Sequence, residues 1–125
     1  MTDDLGVEDT DDGEGHVIVS FTVISVAPIE GLAQYLSESR TPADEFFYDL
    51  GTTSFEEREA EARADRLEAT INAFLDLLEP IPHEALHDPG AFVRLFMTLC
   101  RGAETIHAKT LKRLADANAT IWIDA

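Results

Sequence analysis

Val17-Ile18-Val19-Ser20-Phe21-Thr22-Val23-Ile24-Ser25 is the stretch on which the fold turns. It is dense in β-branched residues. Val17, Val19, Phe21 and Val23 recur at every second position, with Ser20 and Thr22 between them. A strand points successive side chains to opposite faces, so the pattern reads as a half-buried strand. Every later element carries an apolar stripe that needs burial, and this strand is the first surface on offer.

Downstream, Pro28 suits the first position of a helix. Ile29, Leu32, Ala33 and Leu36 then recur at helical spacing, which predicts a short amphipathic helix ending near Ser37. Ser39-Arg40-Thr41-Pro42 breaks it. Phe46-Phe47-Tyr48-Asp49-Leu50 has the aromatic content of a short edge strand, closed by Gly51. Ser54 and Glu57 form a capping box for a long helix over Phe55–Leu78. The stripe of that helix is Ala60, Ala64, Leu67, Ile71, Phe74 and Leu78, and a Glu59–Arg63 pair lies on its solvated side. The charged first half, Glu56–Arg66, has the composition of a segment that projects beyond the core.

Pro80-Ile81-Pro82 stops the helix, and His83–His87 has room for little more than one turn before Asp88-Pro89-Gly90. Ala91–Cys100 reads as a second long strand. Val93, Leu95, Met97 and Leu99 share one face; Phe92, Arg94, Phe96, Thr98 and Cys100 share the other. Ile106, Leu111, Leu114 and Ala115 fit a helix over 105–117, with Asn118 as its left-handed cap. Thr120–Asp124 is the final strand. Strands joined through helices return in the same direction, most simply as split β-α-β units. The expected fold is α+β: a two-layer sandwich of ferredoxin-like character, with three long strands, an edge strand and three helices.

Upstream, residues 1–15 hold Asp3, Asp4, Glu8, Asp9, Asp11, Asp12 and Glu14, no Lys or Arg, and three glycines. That composition predicts a disordered acidic tail ahead of a single domain over 16–125. The whole chain, 125 residues long, has a formal net charge of -16. Such a field repels nucleic acid and anionic membrane and attracts a basic protein. Solubility or adaptation to a salty cell explains the same charge without a partner. One cysteine, Cys100, allows no internal disulfide, and no signal peptide or membrane-length apolar run is visible. The expected location is the cytoplasm.

Val19–Ser25, Leu36 with Thr41-Pro42 after it, Leu75-Asp76-Leu77-Leu78-Glu79-Pro80, and Thr110–Asp116 through Ile121-Trp122-Ile123-Asp124 resemble the bacterial domain-of-unknown-function family 4279. The resemblance spans residues 17–124 and rests mostly on core positions. It implies an α+β domain and supplies no activity.

His83-Glu84-Ala85-Leu86-His87 matches H-E-x-x-H, in which two histidines one helical turn apart bind zinc and the Glu acts as general base. That chemistry needs a helix long enough to hold both imidazoles and a third ligand, for which Glu104 is the candidate. Pro82 and Pro89 leave about one and a half turns of 3.6 residues, so a capped surface turn with Leu86 in the core is the plainer reading. His16 and His107 have no companion at ligand spacing, and Cys100 has no sign of activation. No phosphate loop or nucleophile elbow is present, and no cofactor is expected.

Two function classes follow. The first is a non-catalytic acidic interaction protein, such as an immunity protein or inhibitor that masks a basic partner. The second is a small zinc-dependent hydrolase using His83, Glu84 and His87. The strand alternation adds a surface to the first. With Val19, Phe21, Val23, Val93, Leu95, Ile121 and Ile123 toward the helices, Ile18, Ile24, Phe92, Phe96 and Trp122 fall on the opposite face. Either residues 55–78 cross over to cover them, or they form a homodimer or partner interface.

Overall fold

β1 (His16–Ser25) runs between two antiparallel partners in a computed structural model that describes residues 15–37, 44–99 and 104–124. β2 (Phe46–Glu56) lies on one side and β3 (Ala91–Leu99) on the other. β4 (Ala119–Asp124) pairs parallel to β3, giving the strand order β2-β1-β3-β4. Helices α1 (Ala60–Leu77), α2 (His83–Leu86) and α3 (Ala108–Asp116) form the second layer. The α+β sandwich expected from the sequence is therefore present, with the edge strand a full member of a four-stranded mixed sheet. β2, α1 and β3 make a split β-α-β unit with β1 in the gap, whereas α3 joins two adjacent strands.

The core lies between the sheet and the helices. Val17, Val19, Phe21 and Val23 of β1 and Val93, Leu95 and Met97 of β3 are buried there with Leu67, Ile71, Phe74, Leu75 and Leu114. The Phe74 ring stacks on Phe21 with centroids 5.5 Å apart. Gly51 lies beneath that ring at φ 138°, a region L side chains rarely adopt, and a Cβ there would come within 3.4 Å of Phe74.

Several local expectations are corrected. The stretch after Pro28 forms a single 3-10 turn, Ala33–Tyr35, rather than a helix. Gly31 has φ 96°, and the Ile29 N–H donates to the buried Tyr48 hydroxyl, so the backbone is fastened to β2 instead of to itself. Gly51 does not close β2. The strand passes through it, with a register irregularity opposite Phe21/Thr22, and continues to Glu56. Ser54 and Phe55 are thus strand residues, Phe55 buried opposite Val17, and the capping box does not form. Glu59 caps α1 instead, its carboxylate accepting from the Ala62 N–H.

The first half of α1 does not project into solvent. Arg63 turns inward to an ion pair with Glu104, the two side chains 8% and 6% exposed, and its Nη1 donates to the carbonyls of Glu57 and Arg58. In α3 the buried positions are Thr110 and Leu114, while Leu111 is exposed. Asn118 does take the expected left-handed conformation at φ 61°. The residues 1–14, the Ser39–Pro42 break and Cys100 lie outside the described residues.

The N-terminus of α3 has no cap from its own His107 side chain. Glu68 of α1 supplies it across the helix interface, accepting from the His107 N–H and the Thr110 hydroxyl. Glu68→Ala is therefore expected to cost about 0.5–2 kcal/mol, the usual worth of an N-cap. Urea titration of the variant checks this; an unchanged midpoint would mean that the bridge contributes nothing.

Candidate functional site: the open sheet face

All three helices lie against one face of the sheet, and among the described residues no helix covers the other. Of the two alternatives, the one in which residues 55–78 cross over to that face is not the one observed: Leu67, Ile71, Phe74 and Leu75 of α1 all lie on the core side. Cross-strand register fixes what the open face holds. Ile24 sits between Phe47 and Phe92; Ser20 sits between Thr52 and Phe96, with Trp122 beyond; Ile18 sits between Ser54 and Thr98. Thr22 lies between Asp49 and Arg94. The five residues singled out by alternation, Ile18, Ile24, Phe92, Phe96 and Trp122, share this surface.

Exposure is greatest toward β4. Phe92 is 40% exposed and Trp122 53%, while Ile18, Ile24 and Phe96 are half-buried by their neighbours. Phe96 and Trp122 meet with ring centroids 5.8 Å apart and planes tilted by 52°. The Arg94 guanidinium lies over the Trp122 ring, 5.2 Å from its centroid. Ser20 and Thr52 share a hydroxyl hydrogen bond of 3.0 Å. Asp49, Glu56 and Asp124 occupy register positions toward the sides of the face. Exposed aromatic side chains together with an arginine are the residue types enriched at recognition surfaces.

The strand alternation was enough to place Arg94 and Phe96 here. Phe47 could not be placed from its segment alone, because its aromatic run fits either face until the partner strand is known. Asp49 and Thr22 carried no sequence signal as site residues.

The H-E-x-x-H segment has a different setting. His83 and His87 stack with ring centroids 3.8 Å apart, and His87 Nε2 bonds the Asp116 carbonyl at 2.7 Å. Leu86 is buried, as the capped-turn reading requires. His83 borders a shallow depression of about 270 Å³ lined by Leu75, Leu78, Ile81 and Arg113. Arg113 is held there by Asp76 and Glu79, each at 3.0 Å. Glu104, the proposed third ligand, is engaged with Arg63 instead. Among the described residues no group of three or more His, Cys, Asp and Glu side chains is placed to hold a metal ion. His16 begins β1 opposite Glu56, and His107 stands at the N-cap of α3.

No family model matches the chain, and no curated protein or solved structure does. No helix among the described residues is long and apolar enough to cross a membrane.

Proposed function

We propose that this chain is a non-catalytic binding protein whose open sheet face docks a basic protein, in the manner of an immunity protein or inhibitor. One observation carries the reading: a face that no helix covers among the described residues, holding Phe47, Phe92, Phe96 and Trp122, on a chain of net charge -16. Aromatic residues bury large areas at small entropic cost, and they dominate interface energetics. Charge adaptation alone gives no reason to leave such a face bare. Two copies of the chain would bring together two strongly negative bodies, whereas a cationic partner gains from the same field. Membership of the family resembled by residues 17–124 is proposed on the same footing and adds no activity.

Trp122→Glu tests the reading, by pairwise binding against basic proteins encoded beside the gene. Loss of about 100-fold in affinity, with monomeric wild type in light scattering, is the expected result for an exposed aromatic anchor. A wild-type dimer that Trp122→Glu separates into folded monomers would replace the basic partner with a second copy. Unfolding of the variant would return Trp122 to the core.

A further inference from the structure

The middle of the open face holds polar groups that have no hydrogen-bond partner among the described residues. The Arg94 Nε is buried and makes no hydrogen bond, and no carboxylate pairs with its guanidinium among the described residues. Directly across the strand pair, Thr22 is only 9% exposed and its hydroxyl likewise has no partner. Buried polar groups are normally satisfied, and each exception needs a physical explanation. Asp49, the other neighbour of Thr22, spends one carboxylate oxygen on the Gly51 N–H and does not reach Arg94.

The geometry points to a carboxylate-recognition site at the centre of this face: Arg94 and Thr22 hold the side-chain carboxylate of an Asp or Glu of the docked protein. A guanidinium presents parallel N–H donors that match a carboxylate, and charge-assisted bonds of this kind are the strong ones. Trp122 supports the guanidinium from one side and keeps its fork in place. The Phe96–Trp122 pair supplies an apolar shelf beside it, and docking over that shelf would exclude water and strengthen the pairing. The partner is then basic around its border and carries one acid at its centre, and that acid sets the register of docking. This deepens the docking proposal and rests on it for the source of the carboxylate.

Sodium benzoate is the probe, because it combines a carboxylate with a ring that fits the aromatic shelf. Trp122 is the only tryptophan in the chain, so its indole N–H resonance in the full-length ¹⁵N-labelled protein reports this face alone. Saturable shifts of the Trp122 indole and Arg94 Nε–H signals are expected with benzoate, at least about tenfold weaker with neutral benzamide. Arg94→Gln should remove the response. Arg94→Lys, which keeps the charge and loses the fork, should weaken it, as should the isosteric Thr22→Val. Each variant is first shown to be folded by its amide spectrum, and either of the last two decides the matter if Arg94→Gln does not fold. Equal shifts with benzoate and benzamide, a tighter response to benzamidine, or no response up to the solubility of benzoate would overturn the site. None of these results depends on a partner protein, so this site can fail while the basic-partner reading stands, and the reverse.

Discussion

Phe74→Ala is expected to destabilise the domain by about 3–5 kcal/mol, the range for removing a buried phenyl ring. The ring is at the contact between layers: it stacks on Phe21 of the central strand and lies over Gly51 of β2. Removing it leaves a void bounded by β-branched and aromatic side chains of a hydrogen-bonded sheet, which cannot collapse inward as a loop would. Equilibrium urea unfolding followed by circular dichroism measures the loss. Leu111→Ala serves as the comparison. That side chain is exposed on α3 and should change stability by no more than about 0.5 kcal/mol. Similar small costs at both positions would mean that α1 does not pack on the sheet as described.

Glu104→Ala is expected to cost about 3–5 kcal/mol, because it removes one member of a buried ion pair. The two side chains are almost wholly enclosed, and Arg63 also donates to the carbonyls of Glu57 and Arg58. The companion experiment is the double replacement Arg63→Met with Glu104→Leu. Removing both charges avoids the penalty of leaving either alone, so the double variant should be markedly more stable than Glu104→Ala. Should Glu104→Ala prove nearly neutral, the ion pair is solvated in solution and the start of α1 stands free of the domain.

Reading the chain in order recovered those elements whose apolar period was clean. β1 and β3 alternate without interruption, and their inward and outward sets matched the register. The stripe of α1 is legible from Leu67 onward, where Leu67, Ile71 and Phe74 recur at helical spacing and are all buried. The failures share one cause: a tertiary contact outweighed a local signal. Ser54 and Glu57 are a good capping box, yet pairing Phe55 with Val17 buries an aromatic ring and extends β2 past it. Arg63 belongs to a run of charges that reads as solvated, and only the distant Glu104 draws it inward. The site followed the same rule. Phe92, Phe96 and Trp122 follow from alternation, while the importance of Arg94 and Thr22 lies in the absence of a partner among the described residues, which no sequence displays.

The place of β1 has a consequence for the order in which the chain leaves the ribosome. Its β2 edge can be satisfied early, but its β3 edge waits for Val93, Leu95 and Met97, which are translated only after all of α1 and α2. Synthesis proceeds at about 5–20 residues per second, so a nascent hairpin with one bare, strongly β-forming edge persists on the order of seconds. That edge is a template for pairing with the same segment of a neighbouring nascent chain. Immediately ahead of it the sequence places Asp3, Asp4, Glu8, Asp9, Asp11, Asp12 and Glu14. Two such segments approaching parallel and in register would bring these like charges together, which opposes that pairing before the strand that completes the sheet has been made.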